Sequence, residues 1–138
     1  MEEGKPTQAM LCVDDEAIIL IHMRMMLEKR YGSKYLYKQA SDAEMALKVL
    51  EGLHQEGVRV VVVISDWLMP GMKGDEFLRL VHSKYPDISA ILVSGQIDSS
   101  TADKLFPDGS IIGFFSKPVP AAELFDLVDR IIEMHPSN

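Results

Sequence analysis

The chain is poor in several residue types and patterns, and each shortage disfavours a class of protein. Its one cysteine, Cys12, excludes an internal disulfide and favours a reducing compartment, for which we expect the cytoplasm. No apolar run approaches the roughly 18–20 residues of a membrane-spanning helix, and the N-terminus lacks the apolar stretch of a signal peptide. The net charge of −7 disfavours direct binding to nucleic acid, which needs a basic surface.

What remains is typical of one globular domain. The 138 residues are 47% hydrophobic and 25% charged, and they contain no repeat, low-complexity segment or internal linker. The four histidines show no metal-ligand spacing, and no Gly-x-x-x-x-Gly-Lys loop is present. We therefore expect a single domain over residues 1–138, with its core at about 8–134 and flexible tails at 1–7 and 135–138.

Strand and helix patterns alternate five times along the chain. Short runs rich in Val and Ile predict buried parallel strands, and the stretches between them have helical periodicity. Ser41, with Glu44 three residues later, predicts a capping box for the second helix. Such alternation predicts an α/β fold with right-handed crossovers and helices on both faces of a doubly wound parallel sheet. The predicted strands are 9–13, 35–40, 58–65, 88–94 and 111–115, and helices are expected near 17–30, 41–56, 76–85, 99–105 and 121–134.

Charged side chains follow three of these strands. Asp14 and Asp15 come after the first, Asp66 after the third and Lys117 after the fifth. Ligands of open α/β sheets bind outside the carboxyl ends of the strands, where these groups would meet. A lone aspartate at a strand end is often only a helix cap, but three carboxylates packed together are costly unless a cation binds. The set predicts a divalent cation and a phosphoryl group.

The chemistry of the set points to Asp66 as a nucleophile. A carboxylate can accept a phosphoryl group as an acyl phosphate. Hard oxygen ligands favour Mg²⁺ or Mn²⁺, and Lys117 would neutralise further charge. Ser94 closes the fourth strand and could donate its hydroxyl to a phosphoryl oxygen, although a serine in that position is usually a turn residue.

Four segments together closely resemble the receiver domain of two-component response regulators, and the resemblance covers nearly the whole chain. Each segment alone would be weak evidence, but their joint order and spacing are specific. The segments are Val13-Asp14-Asp15-Glu16, residues 65–74 (SDWLMPGMKG), Val93-Ser94-Gly95 and Phe114-Phe115-Ser116-Lys117-Pro118.

The resemblance implies a five-stranded sheet in the order 2-1-3-4-5 and a role for each matching residue. Asp66 would take a phosphoryl group from a histidine kinase or a histidine phosphotransfer protein. Ser94 and Phe114 would form the switch that alters the surface of helix 4, strand 5 and helix 5, where a homodimer or output domain would bind. The remaining roles are the metal ligands Asp15, Asp66 and the Leu68 carbonyl, with Asp14 acting mostly through water, and a cis peptide bond before Pro118.

Two positions that control hydrolysis of the acyl phosphate in this family are Leu68 and Gln96 here. Neither is charged, which predicts slow loss of the phosphoryl group, over minutes or longer. The first helix is unusually apolar: Ile19, Met23, Met26 and Leu27 suffice for a buried stripe. The resemblance implies that this helix meets the histidine-bearing partner, so its surplus side chains form either a docking face or a wider buried stripe. The surplus includes Ile18, Leu20, Ile21 and Met25.

The sequence disfavours three other interpretations. An Asp-nucleophile phosphatase of the haloacid dehalogenase type needs a second acid two residues after the nucleophile, where this chain has Leu68. A flavodoxin-like cofactor binder needs a phosphate loop after the first strand, where Asp14, Asp15 and Glu16 would repel phosphate. A degenerate receiver acting only as a binding scaffold is disfavoured because the acidic pair, acceptor, hydroxyl and lysine are all present. We therefore expect a phosphorylated signalling domain and not a turnover enzyme.

Overall fold

A computed structural model of the chain describes residues 6–95, 98–107 and 109–135, except for the side chains of Ser99 and Leu105. Within these residues the fold is a five-stranded parallel sheet in the order β2-β1-β3-β4-β5, which confirms the expected α/β class and strand order. The strands are β1 (Gln8–Val13), β2 (Tyr35–Ala40), β3 (Arg59–Asp66), β4 (Ser89–Ser94) and β5 (Gly113–Ser116).

Helices cover both faces of the sheet. Helices α1 and α5 pack on one face through a buried cluster that includes Met23, Leu27, Leu124 and Val128. The other three pack on the opposite face through a second cluster that includes Phe77. The bounds are α1 (Ala17–Tyr31), α2 (Ala43–Gln55), α3 (Gly74–Lys84), α4 (Ser99–Leu105) and α5 (Ala121–Met134), with one 3₁₀ turn at Gly32–Lys34.

The central strand β3 explains why the site lies where it does. Residues 60–66 of this strand are all buried, so its apolar side chains fix the strand between the two helical layers. Burial continues to the last residue, Asp66, and therefore holds a carboxylate at the rim of the core. Among the helices of the described residues, none combines the length and apolar character needed to cross a bilayer.

The start of α2 differs from the prediction by one residue. Asp42, and not Ser41, is the N-cap, and its Oδ1 accepts a hydrogen bond from the backbone N–H of Met45 at 2.7 Å. Both residue types satisfy free N–H groups in the first turn of a helix. Ser41 and Asp42 are adjacent in the sequence, and the path of the chain determines which of the two caps the helix.

The apolar surplus on α1 is divided differently from the prediction. The prediction that Leu20 belongs to a docking face on the surface is wrong, because Leu20 is 6% exposed and packs in the cluster with Met23 and Leu27. Ile21 and Met25 are exposed as expected, at 45% and 59%. The buried stripe therefore includes Leu20, which lies in one buried cluster with residues of the sheet and of α5.

Candidate functional site

Asp14, Asp66 and Lys117 meet at the carboxyl end of the sheet. The Lys117 Nζ lies 2.9 Å from Asp14 Oδ2 and 3.3 Å from Asp66 Oδ2. Asp14 also accepts a hydrogen bond from the backbone N–H of Glu16 at 2.9 Å, which fixes the carboxylate at the turn after β1. Both carboxylates are buried, so the lysine bridges two acids from different strands.

Asp15 completes an acidic cluster. One carboxylate oxygen from each of Asp14, Asp15 and Asp66 lies within 4.8 Å of the other two. Asp15 is exposed, whereas its two partners are buried. Three hard oxygen donors on an open rim are ligands of the kind that Mg²⁺ and Mn²⁺ prefer, and Mg²⁺ commonly keeps several waters.

Burial and neighbouring charges shift the pKa values of Asp66 and Lys117. Burial raises the pKa of the Asp66 carboxyl, and the charge of Asp14 raises it further, against the opposing effects of Lys117 and the Leu68 backbone N–H. Burial alone would lower the pKa of the Lys117 ammonium. Hydrogen bonds and charges from Asp14 and Asp66 outweigh that effect, so the pKa of Lys117 is raised. A further cation at this rim would relieve the repulsion between the two acids.

Ser94 is fully buried at the end of β4, between β3 and β5. It pairs with Ser116 across the sheet, and its carbonyl oxygen accepts a hydrogen bond from the Lys117 backbone N–H at 3.0 Å. Phe114 lies on β5 opposite Leu92, is partly buried, and packs against the cluster that α3 and α4 share. The lysine, the serine and the aromatic residue therefore lie on adjoining segments of β4 and β5.

Two of the remaining predicted positions, Leu68 and Pro118, lie beside this centre. Leu68 is 47% exposed in the segment after β3, and the Lys117–Pro118 peptide bond is cis, as the resemblance implied. Gln96 falls outside the described residues. Gly74, at the start of α3, approaches β3 so closely that a Cβ there would lie 2.3 Å from the Asp66 carbonyl oxygen. Only glycine fits that position, because the start of α3 lies directly against the backbone of Asp66 and Trp67. The 67–73 segment is therefore a tight turn between β3 and α3.

Two cavities reach the acidic centre from different sides. One, of about 460 Å³, is lined by Asp15, Asp66, Leu68 and Lys117 among others and exposes the cluster to solvent. The other, of about 470 Å³, has a mainly apolar lining and runs between α1 and the β5–α5 connection, past Ile18, Met23, Met26 and Val119 to Asp66. The sequence predicted the acidic centre but not this apolar cavity. The cavity depends on how α1 packs against the β5–α5 connection, which the sequence of one helix does not show.

A network of three side chains beside Asp66 was also not predicted from the sequence. The Trp67 Nε1–H donates to Asp75 Oδ1 at 3.1 Å, and Asp75 Oδ2 pairs with Arg79 at 2.9 Å. The i to i+4 spacing of Asp75 and Arg79 is visible in the sequence. The contact with Trp67 depends on the turn between β3 and α3, and the sequence carried no signal for it.

Comparison with known proteins gives a consistent result. The family model described as the response regulator receiver domain matches residues 10–129. The sensor kinase CckA of Brucella abortus is 32% identical over 124 residues, which is 90% of this chain and 12% of the relative. The C4-dicarboxylate transport transcriptional regulatory protein DctD of Pseudomonas aeruginosa is 31% identical over 128 residues. These residues cover 93% of this chain and 26% of the relative. The chain thus spans a small part of these relatives.

Solved structures resemble the fold over most of their length. A signal receiver domain of an HD domain-containing protein from Pseudomonas fluorescens Pf-5 has a TM-score of 0.78 at 28% identity, covering 97% of this chain and 91% of the other. A response regulator receiver domain protein from Clostridium thermocellum has a TM-score of 0.79 at 25% identity, covering 93% and 96%.

Proposed function

Since this chain belongs to the response regulator receiver domain family of two-component systems, we propose that Asp66 accepts a phosphoryl group from a phosphohistidine donor. The observation that carries the proposal is the Lys117 ammonium, 3.3 Å from Asp66 and 2.9 Å from Asp14. It places a fixed positive charge beside the one carboxylate that ends the central strand. We further propose that the reaction takes place in the cytoplasm and that the chain promotes its own chemistry without being a turnover enzyme.

The transfer needs a nucleophile and charge neutralisation. A carboxylate oxygen of Asp66 forms the new O–P bond while the P–N bond to the donor imidazole breaks, and the imidazole keeps the electron pair and takes up a proton. Lys117 stabilises charge on the phosphoryl oxygens as a compact cation. The buried rim holds both groups in place before the donor arrives, so little reorganisation is needed.

The acidic cluster fits the cation that the family implies. Asp14, Asp15, Asp66 and the Leu68 carbonyl would hold Mg²⁺ or Mn²⁺, with Asp14 acting mostly through water. The donor set supports the fit, because one carboxylate oxygen from each of the three aspartates lies within 4.8 Å of the other two, and such hard oxygen ligands suit these cations. Bound there, the cation would neutralise charge on the phosphoryl oxygens and orient them.

A conformational response follows from the position of Ser94 and Phe114. The phosphoryl group would add negative charge and acceptor oxygens beside Ser94. When the Ser94 hydroxyl bonds the group, Phe114 fills the vacated space and changes the surface of α4, β5 and α5, where a second copy or an output domain would bind. Phe114 is only partly buried on β5, so this step would remove more of its ring from solvent. The switch is a shift between two packings that only phosphoryl contacts can drive.

The donor would dock on α1. Ile18, Ile21 and Met25 are exposed there, Ile18 at 80%, and the apolar cavity leads from this helix to Asp66. Such a face suits the helices of a histidine kinase or phosphotransfer protein. Methionine lets the surface adapt to its partner. Because Leu20 lies in the core, the proposed face no longer includes it.

We also expect the acyl phosphate to last for minutes or longer. Leu68, half exposed beside the acceptor, has no polar group that could orient a water molecule for attack. Loss of the phosphoryl group within a few seconds at neutral pH with Mg²⁺ would contradict this expectation.

The experiment that tests the proposed function is the intact mass of the chain after incubation with acetyl phosphate or phosphoramidate and Mg²⁺. We expect one added phosphoryl group in the native chain, none with EDTA and none in Asp66→Asn. If neither a small donor nor a phosphohistidine protein produces the adduct, the chain is a receiver fold used as a scaffold and the proposal fails.

A further inference from the structure

The indole of Trp67 is held from outside the sheet by a charged network. Its Nε1–H donates to Asp75 Oδ1 at 3.1 Å, and the other oxygen of Asp75 pairs with Arg79 at 2.9 Å. The Asp75 side chain is only 15% exposed, so these two donors take the place of much of its hydration. The Lys73 ammonium lies 5.7 Å from the centre of the Trp67 ring, within the range of a cation–π contact.

The backbone of Trp67 is also held in place, by two hydrogen bonds. Its N–H donates to the Val93 carbonyl oxygen at 3.0 Å, and its own carbonyl oxygen accepts from the Gly74 N–H at 2.7 Å. Trp67 thus ties the end of β3 to β4 and to the start of α3. Its two neighbours along the chain are the proposed phosphoacceptor Asp66 and Leu68, whose carbonyl is a proposed cation ligand.

Asp75 is well placed to act through Trp67. It lies in the first turn of α3, where the helix dipole favours a negative charge. A hydrogen bond to a carboxylate is roughly twice as strong as one between neutral groups, and partial burial strengthens it further. Rotation of the indole away from Asp75 would leave that carboxylate with Arg79 as its remaining partner, so the network resists movement of the 67–73 segment.

We propose that Asp75 is a positioning residue for the cation site: its hydrogen bond to Trp67 anchors the 67–73 segment on α3 and thereby sets the Leu68 carbonyl relative to Asp66. Arg79 orients the Asp75 carboxylate. The inference rests on the proposed function, since it concerns the same site. It adds a residue that touches neither the phosphoryl group nor the cation.

The test is the Mg²⁺ dissociation constant, measured by calorimetry on the full chain. Asp75→Ala removes the acceptor of the indole hydrogen bond, and we expect it to weaken Mg²⁺ binding about fivefold. This is less than the full loss of a charge-assisted hydrogen bond, because Asp75 acts on the cation site only through Trp67 and Leu68. Asp75→Asn keeps an acceptor oxygen and should weaken binding less. The matched control is Glu76→Ala, which removes an exposed acidic side chain from the same helical turn and should leave the constant nearly unchanged.

Two further readouts separate positioning from general damage. Trp67→Phe keeps an aromatic ring but removes the N–H, so it should weaken Mg²⁺ binding to a similar extent. Combined with Asp75→Ala, it should add little. At saturating Mg²⁺, the phosphorylation rate of Asp75→Ala with acetyl phosphate should return to the native value, a recovery that general loss of structure would not give.

Three outcomes would overturn the inference. They are equal Mg²⁺ affinity in Asp75→Ala and Glu76→Ala, additive effects of Asp75→Ala and Trp67→Phe, or a phosphorylation defect that saturating Mg²⁺ does not correct. Failure of the proposed function gives a different result, because the native chain itself would then gain no phosphoryl group from any donor, whatever its affinity for Mg²⁺.

Discussion

At the scale of single residues, Asp66 is a position where function and stability conflict. Its carboxylate is buried beside that of Asp14, and one lysine serves both. The raised pKa of Asp66 means that the folded chain favours the protonated form more than the unfolded chain does. At neutral pH the ionised acid therefore destabilises the fold, and the cost is relieved as the pH falls through the raised pKa.

The first prediction follows from that conflict. Asp66→Asn keeps the shape of the side chain and removes one of the two buried charges, while Lys117 retains its partner Asp14. In EDTA at pH 7 we expect the melting temperature to rise by about 2–5 °C, which corresponds to roughly 1 kcal/mol. Adding Mg²⁺ should raise the melting temperature of the native chain more than that of the variant.

The control for this prediction is Asp15→Asn, which removes an exposed charge from the same cluster. It should weaken Mg²⁺ binding with a smaller effect on the melting temperature in EDTA, because solvent already screens that carboxylate. A lower melting temperature of Asp66→Asn in EDTA would mean that the contact with Lys117 outweighs the repulsion from Asp14.

At the scale of an element, α1 carries two opposite apolar faces. Leu20, Met23 and Leu27 pack into the core, whereas Ile21 and Met25 lie on the surface. Apolar residues occupy every position of Ile18–Ile21, so periodicity alone could not determine which side of the helix faces the sheet. Tertiary packing against α5 decides it.

The second prediction uses this division. Glutamate substitutions at Ile21 and Met25 should slow phosphoryl transfer from a histidine kinase or phosphotransfer protein about tenfold or more. They should leave phosphorylation by acetyl phosphate unchanged, because the acceptor site is untouched. Comparison of the two rates in the same preparation is the measurement.

Leu20→Glu is the core control for α1. It places an unpaired charge in an apolar cluster, so it should lower the melting temperature and impair both donors. Equal loss with both donors in the Ile21 and Met25 variants, accompanied by a lower melting temperature, would show that the exposed face supports the fold and not a partner.

At the scale of the whole molecule, alternating strands and helices predicted the architecture because most strands are short apolar runs followed by a polar residue. The exception is β2, which contains Lys38 and Gln39. That same pattern placed Asp14, Asp66 and Lys117 at one rim. The N-cap of α2 and the buried side of α1 could not be predicted, since adjacent residues met the same local requirement. The Trp67–Asp75 contact could not either, because it depends on how closely Gly74 lets α3 approach β3.

The central claim is that Asp66 is the acceptor, and trapping the acyl phosphate tests it most directly. After phosphorylation with acetyl phosphate and Mg²⁺, borohydride reduces an aspartyl phosphate to homoserine, and peptide mass spectrometry locates the change. The account predicts homoserine at position 66 alone, none with EDTA, and none in Asp66→Asn. Conversion at Asp14 or Asp15, or a phosphorylated chain in which Asp66 remains intact, would contradict it.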